Sequence, residues 1–137
     1  LRLLHESLNI EAVSSAWRTT PVGTTGPDFV NLIAKVVTEV ELAELKSCVL
    51  QPIENQLGRI RTEDKYASRT IDIDIVLFDD LWVEQDVAHS IYLIPPLAEL
   101  IPDGIPAGQT ISLREMAARQ EIQQAARKIP HFPENTD

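Results

Sequence analysis

Thr70-Ile71-Asp72-Ile73-Asp74-Ile75-Val76-Leu77-Phe78 alternates almost perfectly, with Ile71, Ile73, Ile75 and Leu77 on one side and Asp72, Asp74, Val76 and Phe78 on the other. A period of two is the signature of a β-strand, so residues 70–78 are expected to form one. Residues two apart on a strand share a face. Both carboxylates therefore leave the sheet side by side while the isoleucines pack inward. Asp is a poor strand former, so two in an Ile-rich strand need a reason. Adjacent carboxylates repel each other and draw a cation. Two hard oxygen ligands suit magnesium that keeps several waters and takes phosphate oxygens to complete its shell. The plainer alternative is a surface strand whose aspartates do no more than face water.

The segment just upstream strengthens the phosphate reading. Residues 59–69 hold Arg59, Arg61, Lys65 and Arg69 against Glu63 and Asp64, a local charge of +2 in a chain of net charge −9. Three of these four cations are Arg, whose planar fork grips phosphate oxygens in pairs. A positive island leading into two carboxylates has the composition of a polyphosphate clamp; a solvated loop with compensating charges is the alternative. The five glycines stand at 23, 26, 58, 104 and 108 and make neither a G-x-x-x-x-G-K-[ST] nor a G-x-G-x-x-G motif. Any nucleotide is then held by side chains and metal rather than by a glycine cradle.

Working outward, residues 1–8 read as the back half of an amphipathic helix with no capping residue ahead of it, as though a segment were missing upstream. Residues 10–17 are expected to form a strand interrupted by Ser14 and Ser15. Residues 18–28, with two Pro and two Gly, form a turn-rich loop. The β-branched run over 29–41 favours a long strand. Leu42, Leu45, Val49, Ile53 and Leu57 recur at helical steps over 41–57, with a kink or break expected at Pro52. A charged connector follows over 58–68, and 81–94 is irregular. Residues 95–101 make one or two helical turns ended by Pro102-Asp103-Gly104. A last helix over 112–128 opens with Ser112 and Glu115 at capping-box spacing, and 129–137 is a frayed tail. Strand, strand, helix, strand, helix in one domain of 137 residues predicts an α+β fold of split β-α-β type.

Composition excludes several classes. With 21 acidic and 12 basic side chains the chain lacks the basic face needed by a sequence-blind DNA binder or an anionic-membrane binder, so neither nucleic acid nor membrane is an expected partner. No apolar run approaches the roughly 18 residues of a spanning helix. The single cysteine, Cys48, rules out an internal disulfide framework and a four-thiolate zinc site; it fits a cytoplasmic setting and is read as core filling. Oligomeric state is not legible.

A third constellation is Thr19-Thr20-Pro21-Val22-Gly23 followed by Pro27-Asp28-Phe29-Val30-Asn31. Phe29 and Asn31 share a strand face behind a loop that can bend back over them. A ring for stacking and an amide for reading donors and acceptors suit a flat heterocycle; core Phe plus edge Asn is the alternative.

In order, Arg18-Thr19-x-Pro21-Val22-Gly23, Pro27-Asp28-Phe29-x-Asn31, Glu54-x3-Gly58-Arg59-x-Arg61 and Arg69-Thr70-Ile71-Asp72-Ile73-Asp74-Ile75 resemble the 6-hydroxymethyl-7,8-dihydropterin pyrophosphokinases of folate synthesis, over residues 1 to about 102. The resemblance implies a ferredoxin-like α/β sandwich with a mainly antiparallel sheet. It also implies transfer of the β,γ-pyrophosphate of magnesium-bound ATP to the pterin hydroxymethyl group, with release of AMP. A nucleotide- or pterin-binding homologue without turnover is the alternative.

By position, the resemblance makes Asp72 and Asp74 the ligands of two magnesium ions. It makes Arg59 and Arg69 catalytic, and Gln51, Glu54, Arg61, Lys65, Tyr66, Arg69 and Ile75 nucleotide-facing, with Lys65 and Tyr66 standing where Arg and Trp are commoner. Thr19, Val22 and Asn31 then contact the pterin, between Phe29 and Tyr92 as the two stacking rings. Two departures stand out. The family's opening strand and Gly-Ser-Asn-Leu loop have no counterpart, which suggests a domain lacking its first strand. Residues 78–96 are also shorter than usual and lack the family's Val-Pro-His-Pro-type turn, leaving His89 as a distant stand-in for its histidine. His5 and His131 read as surface residues.

Overall fold

A computed structural model describes the chain over residues 2–21, 27–61 and 72–130. Helix α1 (Arg2–Ser7) leads into β1 (Asn9–Val13) and β2 (Trp17–Thr19); β3 (Phe29–Asn31) and β4 (Ala34–Val37) return antiparallel to them. β2 pairs with β3 and β1 with β4, so the two strands expected over 10–17 and 29–41 are two arms of one bent ribbon, each broken in its middle. The bend lies at Ser14, Ser15 and Ala16, where side chains are small and Ser14 and Ala16 are buried. There Ser14 N–H donates to the Ile33 carbonyl at 2.8 Å while its hydroxyl accepts from Ile33 N–H at 2.8 Å. A side-chain oxygen takes the place of a backbone acceptor, which lets the ladder turn without orphaning a donor.

The amphipathic pattern forms the expected helix as α2 (Leu42–Glu44), a π-helical stretch (Leu45–Leu50) and α3 (Gln51–Arg61). The irregularity expected at Pro52 takes the form of this wider turn, in which Gln51 N–H reaches back five residues to the Lys46 carbonyl. Widening moves the preceding carbonyls away from the proline ring, and Pro has no N–H to lose. The helix also runs past 57 to Arg61, so the charged connector is shorter at its start than the sequence suggests.

The strand expected over 70–78 is corrected. Of its described residues, 72–78, only Leu77–Phe78 are strand (β5), paired across a two-residue turn with β6 (Leu81–Trp82), while residues 70 and 71 lie outside the described residues; Asp79 takes the left-handed conformation in the turn, at φ 53°. Asp tolerates that region better than most residues. Residues 72–76 have no strand partner among the described residues. Their alternation survives as exposure: Asp72 and Asp74 are exposed, Ile73 and Ile75 half-buried. Periodicity records which side faces the core, whereas a strand also needs a neighbour, which no local pattern specifies.

After a 3₁₀ turn (Val87–His89), α4 (Ile94–Leu100) starts with Pro95 and Pro96 in its first turn, where prolines are tolerated. The last predicted helix is corrected to α5 (Leu113–Ala117), α6 (Gln120–Ala125) and β7 (Ala126–Lys128). The forward half of its capping box is present: Ser112 Oγ accepts from Glu115 N–H at 3.2 Å. The stretch after Ala125 is drawn into strand because β7 completes the free edge of β2, giving an antiparallel sheet in the order β3-β2-β7. Ile129 N–H extends that ladder to the Ala16 carbonyl at 2.9 Å, so the tail is tied down at its first residue.

Val87, Leu93, Ile94, Leu97, Leu113, Met116 and Ile122 form the main core cluster, against which Ile33, Val76, Trp82 and Tyr92 pack. Each fully buried aliphatic side chain of this kind contributes about 1.5–3 kcal/mol. Cys48, read as core filling, is exposed instead. Antiparallel sheets and helices together place the chain in the α+β class. Among the described residues no helix is long and apolar enough to cross a membrane.

Candidate active site

The acid pair is held by anchors within it and just after it. Glu54, one turn into α3, accepts the Ile73 N–H on its Oε2 at 2.8 Å, between the two aspartates. Three residues on, the Val76 carbonyl accepts from Val83 N–H at 2.9 Å and Glu84 N–H at 3.1 Å. The described residues contain no group of three His, Cys, Asp or Glu able to enclose a metal ion. Two exposed carboxylates with no third ligand among the described residues fit magnesium, which dehydrates reluctantly and takes its remaining ligands from water and substrate phosphate.

A second cluster lies on β3. Phe29 is 48% exposed, which rules out the core alternative for it. Its ring centroid lies 5.3 Å from that of Tyr92, with planes tilted by 33°. The two residues expected to stack on a heterocycle are thus neighbours, and they touch each other. A flat ring between them requires roughly 7 Å, twice the contact distance of about 3.5 Å, so the rings would have to part to admit one. Thr19 faces Phe29 in the β2–β3 register and is 0% exposed, yet its hydroxyl has no hydrogen-bond partner among the described residues. Leaving such a group unpaired costs about 1–3 kcal/mol. Asn31, half-buried, sits two residues from Phe29 on the same face of β3. Phe29→Ala is expected to weaken pterin binding about tenfold, the worth of an aromatic stack, in a fluorescence titration; an unchanged dissociation constant would remove Phe29 from the site.

Gln51 and Glu54 share a face of α3, three residues apart. Arg59 and Arg61 belong to its last turn, but their side chains, together with Val22, Lys65, Tyr66 and Arg69, lie outside the described residues. Ile75 is half-buried beside the acid pair. His89 is bonded to Asp86 on the surface, Nδ1 to Oδ1 at 2.6 Å. A cavity of about 480 Å³ lies between Leu77, Trp82 and residues 100–105, and is lined by none of the predicted site residues.

Glu99 is a structural tie that the sequence reading did not single out. From α4 it accepts Ser15 N–H at 2.8 Å and Trp17 Nε1–H at 2.9 Å, with Lys128 Nζ at 3.7 Å, and so ties α4 to β2 and β7. The available signal was one carboxylate inside the apolar run Ile94-Pro95-Pro96-Leu97-Ala98-Glu99-Leu100-Ile101.

An α+β domain with a paired-carboxylate segment and a contacting pair of aromatic rings agrees with a family comparison: the family model described as 7,8-dihydro-6-hydroxymethylpterin-pyrophosphokinase (HPPK) matches residues 1–102, and the chain belongs to that family. Among individual proteins, it is 31% identical over 114 residues to the 2-amino-4-hydroxy-6-hydroxymethyldihydropteridine pyrophosphokinase of Synechocystis, covering 76% of this chain and 57% of that protein. It is 32% identical over 114 residues to the enzyme of the same name from Haemophilus influenzae, covering 76% and 70%. To the bifunctional protein FolKE of Lactococcus lactis it is 37% identical over 112 residues, covering 74% and 32%. The chain thus spans about a third to just over two thirds of the length of these curated relatives.

Proposed function

We propose that the chain transfers the β,γ-diphosphate of ATP to the hydroxymethyl oxygen of 6-hydroxymethyl-7,8-dihydropterin, releasing AMP, as a single cytoplasmic domain of ferredoxin-like type in folate biosynthesis. The observation that carries this reading is the exposed Asp72/Asp74 pair on a backbone anchored at Ile73 and Val76. Family membership and the Phe29–Tyr92 ring pair support it.

In this reading Asp72 and Asp74 hold two magnesium ions, which offset phosphate charge and polarise the reacting oxygens when bound. Phosphoryl transfer asks the protein for positioning and fixed charge rather than a covalent nucleophile. Arg59, Arg61, Lys65 and Arg69 supply the fixed cations, while Gln51, Tyr66 and Ile75 face the nucleotide. Phe29 and Tyr92 hold the pterin by its faces, and Thr19, Val22 and Asn31 meet its edge. The buried, unpaired Thr19 hydroxyl fits such a contact.

The test is direct: purified chain with Mg-ATP and the hydroxymethyl-dihydropterin, with AMP followed by chromatography. AMP release that needs both pterin and magnesium is expected. Its absence at every magnesium concentration, with ATP still raising the melting temperature, would leave a nucleotide-binding homologue without turnover.

A further inference from the structure

Among the described residues, Glu54 is the one side chain that bonds the backbone of residues 72–76, and it does so at the peptide joining the two acidic positions. That segment lacks a strand neighbour there, so nothing else described fixes the direction of the Ile73 amide. Like charges two residues apart repel, and an unconstrained segment would relieve this by rotating one carboxylate away. Glu54 opposes that freedom with a charge-assisted bond, stronger than one to a neutral acceptor. Nor does it join the pair as a third metal ligand, because no such trio exists among the described residues.

We propose that Glu54 is a positioning residue: it does for the acid pair what a neighbouring strand would do, setting the geometry of Asp72 and Asp74 through the Ile73 amide. This rests on the reading of Asp72 and Asp74 as a cation site. It adds a role on the backbone of the acid pair to the nucleotide contact that family position suggests for Glu54. Outer partners that orient metal ligands typically govern affinity by 10- to 100-fold, and the same order is expected here.

The test uses the whole chain without nucleotide, with Mn²⁺ alone as the probe, read by the electron paramagnetic resonance of the free ion, and amide exchange at Ile73 read by NMR. Glu54→Met keeps length and helix propensity but removes the acceptor; Glu54→Gln keeps an acceptor without the charge. Glu54→Met is expected to weaken Mn²⁺ binding about tenfold and to speed Ile73 exchange. Glu54→Gln is expected to stay within about threefold of the parent and keep Ile73 protected, as an acceptor that preserves the bond should.

Unchanged Ile73 exchange in a folded Glu54→Met variant overturns the proposal. So does intact Mn²⁺ binding in that variant. A parent chain that binds no Mn²⁺ removes the cation site and the proposal together. One that shows every expected response yet releases no AMP supports the positioning role and ends only the catalytic reading.

Discussion

Asp72→Asn or Asp74→Asn is expected to lower pterin-dependent AMP release by about a thousandfold or more, with the fold intact. A bound cation contributes several kcal/mol of charge stabilisation to the transition state, and each 1.36 kcal/mol is a factor of ten in rate. Asn preserves the shape of Asp and leaves one neutral oxygen, too weak a ligand for a small, strongly hydrated dication. Because both side chains are exposed, the cost to stability should stay within about 0.5 kcal/mol. Removing one of two repelling charges could even raise the melting temperature in the absence of metal. The comparison that matters is between ligands: Mg-ATP binding should weaken more than pterin binding, because Phe29 and Tyr92, the rings proposed to hold the pterin, lie on β3 and before α4. Equal losses for both, or a melting temperature far below that of the parent, would mean that these residues support the fold rather than a cation. An unchanged rate would reduce the pair to surface decoration.

What could be read from the sequence followed the range of the interaction. The 70–78 alternation correctly gave the exposure of Asp72 and Asp74 and the inward turn of Ile73 and Ile75, because facing depends on local spacing. It did not give pairing, which depends on whether another segment comes alongside, and here the partner of the Ile73 amide is a side chain from a helix 19 positions earlier. The bend at Ser14–Ala16 was half visible as a run of small residues; the hydroxyl that completes the ladder was not.

The end of the chain shows the same division. Ser112 and Glu115 formed their cap as their spacing demanded. Residues 126–128, helical in pattern, became strand because the second edge of β2 would otherwise lack partners for its amides and carbonyls. The aromatic pair had a different fate. Phe29 and Tyr92, 63 positions apart, could be joined only through the family pattern, and they proved to be in ring contact. Their contact with each other could not have been inferred, since the family pattern implies a heterocycle between them.

Leu113→Ala is expected to cost about 3 kcal/mol of stability, within the range for a fully buried Leu truncated to Ala. Leu113 is 0% exposed and lies in the cluster with Met116, Ile94 and Leu97. The surroundings have little freedom to close over the lost volume. Leu113 N–H is bonded to the Gly104 carbonyl at 2.8 Å, and Gly104 packs so closely that a methyl there would stand 3.3 Å from Leu113 Cδ1. A cavity that cannot collapse keeps its full cost. In denaturant the midpoint should fall with an unchanged slope, since the same surface is exposed on unfolding. The functional consequence should be uneven. Tyr92 packs against this cluster, whereas α3, which carries Glu54, contributes none of its described residues to it. Pterin affinity should therefore fall more than Mn²⁺ affinity in the folded variant. A loss of stability below about 1 kcal/mol would mean that Leu113 is not the keystone its burial implies, and equal losses of pterin and Mn²⁺ affinity would show that the two halves of the site share one support.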